Sequence, residues 1–171
     1  PEGGNGGFID TSASNVRLSP GLSVTTRAPH GQTGTWLIDP QDYLIAASGG
    51  DITGAQLSAA LNNTNVTIES SSGSTHGSGD VIVRDGISWS ANNLTLTAAR
   101  DVRIEALLQA TGTSSLTLHV GTANGADGAV SNASGRVGSS TDGTFSGRVD
   151  FGGRAGTGLL EINGQAYTVI N

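Results

Sequence analysis

Polar and aliphatic residues alternate in short segments along most of the chain. Alternation with a period of two directs the aliphatic side chains to one face of a strand and the polar side chains to the other. The sequence therefore predicts strands that have one buried face and one solvated face. The segments with this pattern are 15–18, 65–68, 93–96, 101–104 and 115–118, with a looser copy at 160–162. The side chains expected inside are those of Val16, Leu18, Val66, Ile68, Leu94, Leu96, Val102, Ile104, Leu116 and Leu118.

Other segments predict further strands and one short helix. Strands are expected at 7–11, 35–39, 43–46, 80–84, 147–151 and 167–170. A helix is expected at 53–61, because Thr53 can cap it and because Leu57 and Leu61 would share a face. The pair Asn163-Gly164 predicts a hairpin turn before the last strand.

These elements fit two all-β architectures. In a parallel β-helix, each coil adds one short strand to each of several long sheets, and long Gly/Ser-rich loops can protrude between the strands. This architecture tolerates the uneven spacing of the alternating segments. The alternative is an antiparallel β-sandwich, which favours tight turns such as Asn163-Gly164. With 171 residues, a single domain over 1–171 is expected in either case.

Composition removes several classes of function. Charged residues make up 13% of the chain, every basic residue is an Arg, and the formal net charge is −6. Without a basic cluster, nucleic acid and an anionic membrane surface are poor partners. The absence of Cys excludes thiol catalysis and zinc–thiolate or iron–sulfur sites. The chain contains no long apolar run, so no membrane insertion is expected, and its lack of Met predicts a piece of a longer precursor.

Paired carboxylates are the first candidates for chemistry. Asp39 and Asp42 flank a proline, and two carboxylates can carry out glycoside hydrolysis, but the same residues favour a turn. Asp80 and Asp85 bracket a predicted strand beside Arg84, and secreted β-helical lyases place such residues along an outer groove. We expect structural roles for all of them, hence no catalytic residues and no enzyme activity. The alternative is a carbohydrate-binding or polysaccharide-degrading β-helix.

No metal or cofactor site is expected. His30, His76 and His119 have no partner at the spacing of metal ligands, and we expect His30 and His76 in exposed loops and His119 on the outer face of a strand. The segment 124–128 around Asp127 resembles half a calcium loop but lacks its bidentate acidic residue, which favours a simple turn. The chain has no Gly-rich phosphate loop that opens a helix.

Aromatic residues are few. Trp36, Trp89, Tyr43 and Tyr167 could form a platform for stacking sugars, but the pattern around Trp36 and Trp89 predicts positions in the core or over its end. Four Asn-x-Ser/Thr matches occur, at 62–64, 65–67, 93–95 and 132–134. Such matches arise by chance in a chain rich in Asn and Thr, so they do not establish glycosylation.

Two motifs near the start resemble segments that recur in large bacterial exoproteins of the filamentous-haemagglutinin type. The first is GGNGGFIDTSA at 3–13, and the second is GTWLIDP at 34–40, which is followed by an aliphatic strand. The helix candidate and NVTI at 65–68 match the usual continuation, and EINGQAYTVI at 161–170 is similar to the join to a following repeat module. The similarity covers most of the chain and is loose between 121 and 158.

The resemblance implies an internal segment of a two-partner-secretion adhesin that folds as a right-handed parallel β-helix. It implies a precursor exported by an outer-membrane transporter, an extracellular or cell-surface location, and a structural or adhesive role in attachment or in filament and matrix formation. A host or surface carbohydrate is the partner class that fits this role. Because we identify no capping element, the chain is expected to continue through its ends, covalently as a longer rod or by head-to-tail association of copies.

Overall fold

The computed structural model describes residues 3–71, 77–121, 130–131 and 147–170. Within these residues the chain forms strands and one helix, and most of the strands are three to five residues long. In chain order the elements are β1 (Phe8–Ser12), β2 (Thr35–Asp39), β3 (Tyr43–Ile45), α1 (Gly54–Leu61), β4 (Asn65–Glu69), β5 (Val81–Val83), β6 (Ile87–Trp89), β7 (Asn93–Thr97), β8 (Val102–Ile104), β9 (Leu107–Ala110), β10 (Ser115–His119), β11 (Val130–Ser131), β12 (Arg148–Asp150), β13 (Gly156–Ile162) and β14 (Gln165–Val169).

The strands build three sheets, which together we call the strand stack. The first sheet has the order β1-β2-β4-β7-β10-β13-β14, the second β3-β5-β8-β11, and the third β6-β9-β12. From β4 onward the chain visits the first, second and third sheets in turn, as β4-β5-β6, β7-β8-β9 and β10-β11-β12. Among the described residues, every strand pair is parallel except β13–β14. The expected all-β class with mostly parallel pairing is therefore confirmed.

The register of the first sheet aligns buried side chains into columns through the core. Val66 lies between Trp36 and Leu94, and Leu116 continues the same column. A slip of one residue would turn every one of these side chains to solvent, so burial fixes the register. The second column of the sheet consists of Ile38, Ile68, Leu96, Leu118 and Ile162.

Nearly all of the expected core positions are confirmed. Eight of the ten lie in strands and are at most 1% exposed: Val66, Ile68, Leu94, Leu96, Val102, Ile104, Leu116 and Leu118. The strand expected at 15–18 is wrong, although Val16 is buried and Leu18 is partly buried. Residues 15–18 pair with no strand among the described residues, and their alternation reflects packing over the end of the core.

The single helix forms where the pattern predicted it. Thr53 accepts a hydrogen bond from the backbone N–H of Gln56 (3.2 Å), and the Gln56 side chain accepts one from the backbone N–H of Thr53 (3.0 Å). This reciprocal capping box satisfies two amides that the first helical turn leaves without partners. Leu57 and Leu61 are fully buried, so α1 takes part in the core. Among the described residues, no helix is both long and apolar enough to cross a membrane.

The expectation that the ends lack a cap is wrong for the core and for the second and third sheets at the end formed by β1, β3 and α1, which we call the N-terminal end. Here Leu18 and Val24 pack on the core and line, with Trp36 and Ile52, a cavity of only about 10 Å³. The glycines near the start of the chain allow close packing of two backbone segments. A side chain at Gly34 would collide with the carbonyl oxygen of the facing glycine at the start of β1, so this position holds two backbones in close approach.

At the opposite end, formed by β12, β13 and β14 and called the C-terminal end, the chain turns back on itself. Asn163 and Gly164 both have positive φ, at 49° and 76°, and join β13 to β14 in an antiparallel hairpin. These angles match the two-residue turn that Asn-Gly favours, so the predicted hairpin is confirmed. Val169 and Phe151 pack against the last part of the core beside this hairpin.

Candidate functional surfaces

Aspartates at one corner of the strand stack tie successive turns of the chain together. Asp42, Asp80 and Asp101 immediately precede β3, β5 and β8, which are neighbouring strands of the second sheet. The Asp42 carboxylate accepts hydrogen bonds from the backbone N–H groups of Gly79 (2.7 Å) and Asp80 (2.8 Å). The Asp80 carboxylate accepts one from the backbone of Asp101 (3.2 Å). These contacts satisfy backbone donors just before β5 and β8.

Asp80 is the most buried of these carboxylates, at 3% exposure, and Arg100 neutralises it. The Arg100 Nε atom lies 2.8 Å from one carboxylate oxygen, and Nη2 lies 2.5 Å from the other. A two-pronged contact of this kind fixes both side chains, and the hydrogen bond to Asp80 raises the pKa of Arg100. The pair thus compensates a buried charge at the corner, which is a structural role.

The structure separates the candidate carboxylates from one another. Asp42 is engaged at the corner, whereas Asp39 lies on the outer face of β2. Asp85 accepts a hydrogen bond from the backbone N–H at the start of α1 (2.7 Å). Arg84 pairs with Glu105 (2.7 Å) rather than with either flanking aspartate. Asp42, Asp85 and Arg84 therefore each have a separate partner, and the described residues do not gather the candidates into one groove.

Asp39 has an electrostatically unfavourable position. Burial raises the pKa of its carboxyl group, and the nearby negative charge of Asp10 on β1 raises it further. The Asp10 carboxylate accepts a hydrogen bond from the hydroxyl of Ser12. The two acids lie on the neighbouring strands β1 and β2, at the N-terminal end of the first sheet.

We expect the variant Asp39→Asn to be more stable than the wild type at neutral pH. A raised pKa in the folded state means that folding favours the protonated acid, so wild-type stability is greatest below the ordinary pKa of 3.8 and falls as the pH rises to the folded-state pKa. The variant lacks this decline. Urea unfolding between pH 3 and pH 7 should show equal stabilities at the acidic limit and a growing advantage of the variant above it. A variant that is less stable than the wild type at pH 7 would contradict this assignment.

The outer face of the first sheet carries a ladder of uncharged polar side chains. Asn65 accepts a hydrogen bond from the backbone of Asn93 (2.9 Å), and Asn93 accepts one from the hydroxyl of Ser115 (3.0 Å). Thr95 lies in register between Thr67 and Thr117. The ladder joins neighbouring strands and leaves a regular hydroxyl-rich surface. It also engages the side chains of Asn65 and Asn93, two of the matches to the glycosylation motif.

The aromatic residues do not form a platform. Trp36, Trp89 and Tyr43 are at most 2% exposed, which confirms the prediction of core positions for the two tryptophans. Tyr167, on β14, is 46% exposed. Burial raises the pKa of the Tyr43 hydroxyl, and its oxygen has no hydrogen-bond partner among the described residues. A sugar-stacking surface made from these four side chains is therefore excluded.

The histidines and acidic residues form no metal centre in the described part of the chain. Within it, no three His, Asp or Glu side chains are arranged to hold a metal ion. His30 is exposed and His119 lies half-buried on the outer face of β10, as predicted. The predictions for His76, for the loop around Asp127 and for the Asn-x-Ser match at 132–134 lie outside the described residues.

One open groove of about 240 Å³ lies at the C-terminal end. Arg154 lines it but directs its guanidinium to the protein, donating to the carbonyl oxygens of Ala110 (2.8 Å), Gly112 (3.0 Å) and Ser114 (3.0 Å). The groove is lined by Arg148, Val149, Asp150, Phe151, Gly153, Arg154, Val169 and Ile170.

The sequence carried a signal for some of these contacts and not for others. Arg154 had no distinctive signal. Asp80 and Asp101 did have one, because an aspartate directly before an aliphatic run recurs along the chain.

Comparison with known proteins adds no family assignment. No family model, no curated protein and no solved structure matches the chain.

Proposed function

We propose that the chain is a right-handed parallel β-helical segment of a secreted bacterial surface protein of the filamentous-haemagglutinin type, with a structural or adhesive role and no catalytic activity. The observation that carries the proposal is the strand stack itself, in which the first sheet runs in register from β1 to β14. An elongated stack of short strands provides length and rigidity, as solenoid proteins do. The motifs at 3–13 and 34–40 support the same role through their resemblance to that class.

The polar side chains of the described residues support a structural role because their contacts stabilise the fold. Asp42 accepts a backbone amide from the following turn of the chain, Asp85 accepts one from the preceding turn, and Asp80 pairs with Arg100. Catalytic acids and bases instead need to converge on a site where a substrate can lie. The ladder of Asn, Ser and Thr on the first sheet leaves a broad polar surface that suits attachment to hydrated partners such as surface carbohydrate.

The proposed role also implies an extracellular location for the chain and an export route for its precursor. A rod that functions in attachment acts outside the cell, and the resemblance supports export of its precursor through an outer-membrane transporter. The acidic chain, with a formal net charge of −6, disfavours nucleic acid as a partner.

Display of the chain on the surface of a non-adherent bacterium tests this proposal. Cells that display it are expected to attach to host-cell or glycan-coated surfaces more than cells displaying a variant with Leu94→Asp, which disrupts the core. The purified chain is expected to release no products from a panel of polysaccharides. The variants Asp39→Ala, Asp42→Ala and Asp85→Ala should give the same result as the wild type, because there is no turnover to lose.

Two outcomes would contradict the proposal. Polysaccharide cleavage that disappears in one of these three variants would establish the polysaccharide-degrading alternative. Equal attachment by cells that display the wild type and the disrupted variant would remove the adhesive role.

A further inference from the structure

The edges of the second and third sheets are covered at the N-terminal end. Beside β3, the loop that follows it folds back: the backbone N–H of Leu44 donates to the Asp51 side chain (2.9 Å), and that of Asp51 donates to the Leu44 carbonyl (2.8 Å). The backbone of Ala46 also donates to Ile52 (3.0 Å). These bonds occupy backbone groups on the side of β3 away from β5. A further strand therefore cannot be added to the second sheet here.

The helix covers the corresponding edge of the third sheet. Its residue Ser58 accepts a hydrogen bond from the backbone N–H of Ser88 in the edge strand β6 (3.0 Å). The same hydroxyl donates to the Gly54 carbonyl within α1 (2.7 Å), which holds it in place. Natural sheets commonly protect their edges with a helix or loop in this way.

The first sheet, in contrast, has no such cover along β1 among the described residues. The Gly7 carbonyl accepts from β2 (3.1 Å) and the Ala13 amide donates to β2 (3.1 Å), so alternate residues of β1 face β2. The backbone groups of the intervening residues Phe8, Asp10 and Ser12 therefore point away from the sheet. The side chain of Phe8 is 64% exposed. This edge contains no Lys or Arg, and its outward backbone donors and acceptors have no partner in the part of the chain that the structure describes, so another strand could pair with them.

The opposite edge of the same sheet is β14, and its length matches that of β1. Both β1 and β14 have five residues. Gln165 flanks the two-residue turn and pairs with β13, so the backbone groups of Ala166 and Thr168 face away from β13, on a side where no described strand lies. Tyr167 is 46% exposed on the face that continues the core, and β14 contains no charged residue.

We propose that β14 of one copy pairs antiparallel with β1 of a second copy, so that copies join head to tail through the first sheet alone. The direction follows from the fold, because β14 runs against the parallel strands and β1 runs with them. Tyr167 of one copy and Ile9 of the next, which is 37% exposed, would then cover each other on the core side. A second copy is the favoured occupant because the two open edges belong to one sheet. Such a heterologous contact does not close and extends into a filament.

The inference rests on the proposed rod-like role and specifies how rods join. It differs from continuation of a complete coil, since Asp51 and Ser58 block the other two sheets. Added strands of this kind gain affinity from backbone hydrogen bonds and specificity from alternate side chains.

The test compares two substitutions at Asp10 in the full chain. Asp10→Pro removes a backbone donor that faces the open side but leaves the bonds to β2 in place, and Asp10→Ala removes the charge but keeps the donor. In sedimentation velocity over a range of concentrations, the wild type and Asp10→Ala are expected to form dimers and longer species. Asp10→Pro is expected to weaken association at least about tenfold. Thr168→Pro makes the same change on β14 and serves if the first proline variant does not fold.

Strictly monomeric wild-type protein would overturn the inference, as would unchanged association in folded Asp10→Pro and Thr168→Pro variants. The attachment assay on displayed, tethered chains does not require self-association. A monomer that still supports attachment would thus remove the head-to-tail contact and leave the proposed function intact.

Discussion

Replacing Arg154 with alanine is expected to lower the free energy of unfolding by about 3 kcal/mol. The guanidinium donates to the carbonyl oxygens of Ala110, Gly112 and Ser114 and, through Nε, to that of Phe151 (3.2 Å). It therefore joins the loop between β12 and β13 to the turn between β9 and β10. Truncation would leave these carbonyls without a donor in a partly buried position, which costs more than the net value of each bond.

Arg148 provides the matched control for Arg154. Its side chain is 55% exposed and its contact with Asp150 is 3.7 Å long, so Arg148→Ala should change stability by less than about 0.5 kcal/mol. Arg154→Lys should recover little, because an ammonium group cannot reach several carbonyls that a planar guanidinium spans. Urea unfolding of the three variants measures the effect. Equal stabilities of the Arg154 and Arg148 alanine variants would contradict the assigned role.

Truncation of Leu94 to alanine is expected to cost about 3 kcal/mol. This side chain is fully buried and lies between Val66 and Leu116 in the middle of the first sheet. Its loss would leave a cavity that the flanking strands cannot close, because their hydrogen bonds hold them at the spacing of a sheet. The loss is a large part of the stability of a typical domain.

The neighbouring residue Thr95 tests the assignment of faces. It lies on the outer side of the same strand, so Thr95→Ala should cost well under about 1 kcal/mol. In thermal and urea unfolding, the loss of unfolding free energy should be several-fold larger for Leu94→Ala than for Thr95→Ala. If Thr95→Ala were as destabilising as Leu94→Ala, the inner and outer faces of β7 would be wrongly assigned.

The alternating pattern predicted the inner face of the stack because burial alone dictates it. Val66, Leu94 and Leu116 lie where a period of two places them. The same pattern failed at 15–18, since alternation records which side chains are buried and not whether the backbone has a strand to pair with. Val16 is buried under the end of the stack without any strand around it.

Very short strands and long-range contacts were harder to predict. The strands β6 and β9 have three and four residues, too few for a periodic signal, and they exist because the preceding turns position them beside each other. The engagement of Asp42 with Gly79 depends on a turn of the chain more than thirty residues away. Sequence spacing alone could not distinguish this contact from a catalytic pair with Asp39.

The covering of the N-terminal end was likewise invisible in the sequence. Helix α1 could be predicted from Thr53 and its two leucines, but its position over β6 depends on the Ser58 contact. A local pattern specifies that a helix forms, whereas tertiary packing decides which sheet edge it protects.

Nuclear Overhauser contacts measured on the isotope-labelled protein test the parallel stack most directly. We expect the methyl groups of Leu94 to contact those of both Val66 and Leu116, and the methyl group of Thr95 to contact those of Thr67 and Thr117. Contacts between backbone Hα and amide protons should connect these strands with the pattern of parallel pairs. Strong Hα–Hα contacts between β4 and β7 or between β7 and β10 would show antiparallel pairing and would contradict the account.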